Sequence, residues 1–141
     1  MPLYLLDQVR GKWEEPELIN VARLFWEKHA AMGQAIHLGA LRCMAIEDKV
    51  SGTSLIQFLK REGIPVEPIG RTRDKRTRAG NVTPVMANGR IFVPKSETWY
   101  PDYEAELLSF PKGTHDDQVD PTIDAITYMA GTGMSLVDSY R

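Results

Sequence analysis

His115, Asp116, Asp117 and Asp120 lie within six residues, beside Val119, Ile123, Ile126 and Met129, which recur at helical spacing. Asp accepts the free N–H groups of a helix's first turn and is favoured there by the helix dipole, so one or two of these carboxylates can be caps. Four potential ligands are more than capping requires. A second acidic pair, Glu47-Asp48, closes the apolar run from Leu41 to Ile46. Hard carboxylate oxygens in such pairs hold Mg²⁺ or Mn²⁺. Two such ions clamp the attacking water and the leaving oxygen in phosphodiester cleavage. The sequence offers no arrangement typical of a serine or cysteine nucleophile, a Gly-rich phosphate loop or a zinc site.

One charge cluster accompanies these acids. Arg71, Arg73, Lys75, Arg76 and Arg78 are five basic residues in a stretch of eight that holds a single acid, Asp74. A run of this kind is either a solvated face or a set of phosphate contacts, which neutralise backbone charge without reading sequence. The chain as a whole carries a formal charge of −2, so any meeting with nucleic acid is through a local patch.

The elements that must position these groups follow from the patterning. With 141 residues, 43% hydrophobic and 26% charged, the chain suits one globular domain with a real core. The lone Cys43 excludes an internal disulfide and is expected to be a reduced core residue in a cytoplasmic protein. Neither a signal peptide nor an apolar stretch near the roughly 20 residues of a membrane span is seen. Leu3 to Val9 reads as a strand whose neighbours come from later in the chain, with Asp7 near its end as a ligand or a solvated strand end. Pro16 to Met32 reads as a helix with Leu18, Val21, Ala22, Phe25 and Met32 on its apolar face and Gly33 as its stop.

A strand densest at Leu41 to Ile46 follows, then a helix with Leu55, Ile56, Phe58 and Leu59, closed by Gly63 and Pro65, then a short edge strand at Val66 to Ile69. This order predicts an α/β fold. Asn88-Gly89 predicts a hairpin or a helix-to-strand turn. A helix between Glu97 and Phe110 is expected to turn Tyr103, Leu107 and Leu108 inward. The last helix is expected to end at Gly131-Thr132-Gly133, making residues 1–133 the domain and 134–141 a loose tail.

Taken together, Leu3–Leu18 (LYLLDQVRGKWEEPEL), Ile46–Ile56 (IEDKVSGTSLI), Asp74–Ala79 (DKRTRA), Gly89–Pro94 (GRIFVP) and His115–Asp120 (HDDQVD) resemble, in the same order, the C-terminal nuclease domain of the large terminase subunit of tailed bacteriophages. The resemblance implies an RNase H-like mixed sheet flanked by helices, and two-metal-ion endonucleolytic cleavage of concatemeric DNA during packaging, with Mg²⁺ or Mn²⁺ as cofactor. Carried over by position, Glu47, Asp116 and Asp117 are the catalytic acids and Asp48 a further metal ligand. Asp120 suits a capping or supporting role, and the basic run through Arg78 lies near the DNA backbone. Implied partners are double-stranded DNA, the small terminase subunit and the portal, in the bacterial cytoplasm.

In that family the strand with the first catalytic Asp precedes the Leu3–Asp7 segment, so this chain is expected to lack the first strands and to self-associate through the exposed edge. Whether it cuts or only binds DNA or packaging proteins stays open on this reading. An RNase H-like resolvase or transposase fragment shares the chemistry but does not account for the Leu3–Leu18 and Asp74–Ala79 pieces.

Overall fold

The computed structural model describes residues 2–37, 39–49, 53–70, 75–113 and 117–139, without the side chains of 75–76 and 131–139. The chain divides into two compact units, Val9–Arg71 and Met1–Gln8 with Thr72–Arg141. Each is described by itself.

The Val9–Arg71 unit is built from α1 (Glu15–Ala35), β2 (Met44–Glu47), α2 (Thr53–Arg61) and β3 (Val66–Ile69). Glu15, Pro16 and Glu17 occupy the first turn of α1, where acids meet the positive helix end and Pro removes a donor that has no internal acceptor. Gly33 does not stop this helix, which continues to Ala35. Gly33 is buried, and a Cβ there would come within 2.9 Å of the Gly39 carbonyl oxygen, so its small size serves a close chain approach.

β2 and β3 pair in parallel with Met44 opposite Val66 and Glu47 opposite Ile69. The connection between them is α2, as a parallel pair requires. Gly63, at φ 80°, ends α2: its N–H bonds to the Lys60 carbonyl while Ile64 N–H bonds to the Leu59 carbonyl. That double closure is a Schellman motif, and it folds Ile64 back onto Leu59. Leu55, Leu59 and Ile64 form the buried centre, covered by Leu18, Ile19, Ala22 and Trp26 of α1 and by Met44, Ile46 and Val66 of the strands. Cys43 is half-buried, not a core residue.

The other unit holds β1 (Leu3–Tyr4), α3 (Lys75–Ala87), β4 (Ile91–Phe92), α4 (Tyr100–Ser109) and α5 (Val119–Ser139). β1 pairs with β4 in parallel, Leu3 opposite Ile91 and Tyr4 opposite Phe92. Strand alternation turns Leu3 and Ile91 toward the core and leaves Tyr4 and Phe92 stacked on the exposed face, ring centroids 5.0 Å apart. The strand expected from Leu3 to Val9 is shorter: its last ladder bond runs from Leu5 N–H to the Phe92 carbonyl, and Pro94, two residues on, has no N–H to continue the pairing. Asn88-Gly89 is the helix-to-strand turn, with Gly89 at φ 67° between α3 and β4.

Val82 of α3 packs against Val119, Ile123 and Ile126 of α5, and Ala79, Val85, Leu107 and Phe110 close around them. Leu108, expected to face inward, is 79% exposed; the buried residues of α4 are Tyr103 and Glu106. α5 continues in the backbone to Ser139, past the glycines expected to end it.

Leu59 is fully buried. Leu59→Ala is expected to destabilise the protein by about 2–5 kcal/mol, through lost transfer free energy and a residual cavity, as read from urea denaturation midpoints.

Candidate functional site

The first acidic group belongs to the Val9–Arg71 unit. Glu47 is the last residue of β2, and the ladder holds one position further because Asp48 N–H bonds to the Ile69 carbonyl at 2.8 Å. Both backbones are therefore fixed at the strand end while their side chains leave it. Lys49 Nζ lies 3.1 Å from a Glu47 carboxylate oxygen, with the lysine side chain 61% and the glutamate 33% exposed. An ion pair so open to water contributes about 0–1 kcal/mol and opposes exchange for a stronger cation only weakly.

The second acidic group lies at the start of α5 in the other unit. Asp117 is exposed in the turn before the helix, while His115 and Asp116 fall outside the described residues. The turn is secured at the next residue. Gln118 is buried, and its backbone N–H donates to Glu106 Oε2 at 2.5 Å while its side-chain amide donates to Glu106 Oε1 at 3.2 Å. Glu106 reaches it from α4 and places a carboxylate at the positive end of α5.

A second tie from α4 lies one helical turn on. Thr122 Oγ1 donates to the Gln118 carbonyl at 2.7 Å and is 2.8 Å from the Tyr103 hydroxyl. With the threonine proton on that carbonyl, the Tyr103 hydroxyl is the donor. Burial raises the Tyr103 pKa above the usual 10.0, the Glu106 charge raises it further, and Thr122 offsets part of this because its hydroxyl can turn toward a phenolate.

From α3, Arg78 donates through Nη2 to Asp120 Oδ1 at 2.9 Å and brings Nη1 to 3.6 Å from Asp124 Oδ1. All three side chains are at most one-quarter exposed. Asp120 thus sits on a guanidinium. Of the basic run, Arg71 and Arg73 lie outside the described residues. Lys75 and Arg76 open α3, and Arg78 is turned toward α5.

Among the described residues, no three His, Cys, Asp or Glu side chains gather around a common point for a metal. Those residues include Glu47, Asp48 and Asp117 but not Asp116. The donor chemistry of the three is all carboxylate, which fits Mg²⁺ or Mn²⁺.

The sequence model of the terminase RNaseH-like domain family matches residues 27–129. The chain belongs to that family. Neither a curated protein nor a solved structure matches it. In this terminase RNaseH-like domain the matched span takes in Glu47-Asp48, the basic run and Asp116-Asp117, and membership supports a terminase nuclease-type role. No described helix is long and apolar enough to cross a membrane.

Sequence patterning did not single out Glu106 or Tyr103 as supports of the α5 start. The available signal was their spacing of three on a helix whose next inward position is Leu107.

Two outcomes follow for this terminase domain. Arg78→Ala strands two partly buried carboxylates and is expected to cost about 2–4 kcal/mol in chemical denaturation. For Tyr103, the unfolded phenol ionises at lower pH than the folded one. Stability therefore falls as pH rises from the unfolded pKa toward the raised folded value. The loss of stability between about pH 9 and about pH 11 is expected to be smaller in Tyr103→Phe than in the parent, measured by urea midpoints at both pH values.

Proposed function

We propose that this chain is the metal-dependent endonuclease domain of a phage or prophage terminase large subunit, cutting concatemeric double-stranded DNA during genome packaging. The observation that carries this reading is the family match across 27–129, which spans both acidic groups at once. Glu47, Asp116 and Asp117 are the catalytic acids, and with Asp48 they hold Mg²⁺ or Mn²⁺. Such ions, when bound, supply an activated water and stabilise the oxygen that leaves phosphorus.

The chain's own residues do the rest. Glu47 and Asp48 present oxygens from a strand end whose backbone is fixed by the bond to Ile69. Asp117 stands in a turn anchored through Gln118. Arg71, Arg73, Lys75 and Arg76 supply cations for phosphates along the DNA. Arg78, the last residue of the run, contacts a phosphate only if its pair with Asp120 opens. On the same family reading, the small terminase subunit and the portal are the protein partners.

Supercoiled plasmid incubated with Mn²⁺ or Mg²⁺ tests the proposal. The expected result is nicking or linearisation by the parent chain, none with EDTA, and at least a hundredfold loss in the Glu47→Ala, Asp116→Ala double variant, in the range set by removal of transition-state charge stabilisation. If neither protein cuts but both retard DNA in a salt-sensitive manner, the chain is a non-catalytic DNA-binding module and the endonuclease reading falls.

A further inference from the structure

The hydrogen bonding around Gln118 is lopsided. Its amide nitrogen and its backbone N–H both donate to one carboxylate, Glu106, while its Oε1 is buried without a hydrogen-bond partner among the described residues. Turning the amide over would set its oxygen against the Glu106 carboxylate and forfeit a charge-assisted bond. A buried acceptor left unsatisfied costs about 1–3 kcal/mol, and bonds to a charged group return a similar amount. The side chain is therefore oriented by Glu106.

That carboxylate is itself buried and sits on α4, three residues after Tyr103, whose hydroxyl meets the same first turn of α5 through Thr122. α4 thereby holds the backbone on both sides of Gln118, directly at its N–H and through Thr122 at its carbonyl. Glu106 takes the Gln118 N–H, and Tyr103 reaches Thr122, which holds the Gln118 carbonyl. The Cα of Asp117 is one peptide link away, about 3.8 Å along the chain.

We propose that Glu106 is a positioning residue: its carboxylate, bonded twice to Gln118, sets where the turn at Asp117 presents the Asp117 carboxylate. This deepens the metal-dependent reading above and rests on it. Glu106 touches neither substrate nor metal on this account. It acts through the Gln118 backbone, and its effect appears as metal affinity in a protein that is still folded.

Mn²⁺ binding to the full chain, followed by the electron paramagnetic resonance signal of free Mn²⁺ well below the melting temperature of every variant, tests it. The parent is expected to bind Mn²⁺, and Asp116→Ala, Asp117→Ala together are expected to weaken that binding at least tenfold. Glu106→Ala is expected to weaken it about tenfold, within the range for lost support of a metal ligand. Glu106→Gln is expected to recover most of the loss, since a turned Gln118 amide lets both bonds re-form.

Should Glu106→Ala not fold, Glu106→Asp, which keeps the charge but is one methylene short of Gln118, replaces it with the same expected loss. Unchanged affinity in a folded Glu106→Ala or Glu106→Asp, whatever its melting temperature, overturns the positioning role and leaves the metal reading intact. Binding in the parent that ignores Asp116 and Asp117 overturns the metal reading, and the positioning role with it.

Discussion

Asp117 stands in a turn outside any regular element, so no helix or strand ladder of its own holds it. The hold comes from the next residue, whose N–H and amide both end on Glu106. α5 is in turn seated on α3 by Val82 against Val119, Ile123 and Ile126, with Arg78 reaching Asp120 beside them. Apolar burial supplies most of the free energy of such a contact but little direction. Carboxylate and guanidinium bonds have preferred distances and angles and so fix the register of one helix against its neighbours. Packing keeps α5 in place, and the polar ties determine which atoms of its first turn face which partner.

The same contact explains why a run of like charges in sequence is not one surface in space. A helix turns about 100° per residue, so neighbouring side chains point in different directions. Arg78 precedes Ala79, Val82 and Val85, which pack in the core between α3 and α5, and it shares that inward side. A guanidinium there requires countercharge, since an unpaired buried charge is costly. Asp120 and Asp124, one helical turn apart on α5, provide it.

Much of the fold was legible because its signals are local and periodic. α2 with its Gly63 closure, β3, and the Val119, Ile123, Ile126 stripe all follow from spacing and turn chemistry. The misreadings are also physical. Gly33 looks like a stop in sequence, yet a helix tolerates glycine at about 1 kcal/mol, and a close chain approach at Gly39 favours it. The glycines at 131 and 133 fail to end α5 for the same reason of modest cost. Leu108 is one position off the inward side marked by Tyr103, Glu106 and Leu107. Glu106 was not legible because a buried glutamate and a solvated one read alike among Asp102 and Glu104. The difference lies in Gln118, twelve residues away.

Position relative to a regular element also sorts the acids. Asp120 and Asp124 lie within α5, partly buried, and sit on a guanidinium. Asp117 precedes the helix and is exposed, beside a residue bonded on both its backbone groups. Glu47 ends a strand, with Asp48 N–H making the last ladder bond. A ligand for a hard, strongly hydrated cation needs a fixed backbone and a carboxylate that has not been drawn into a buried ion pair, because breaking such a pair exposes an uncompensated charge. A boundary position whose side chain stays near the surface meets both requirements, while Asp120 and Asp124, inside α5, meet only the first. Acid count alone therefore does not sort the segment from Asp117 to Asp124; the start of α5 does, setting an exposed carboxylate apart from two that neutralise Arg78.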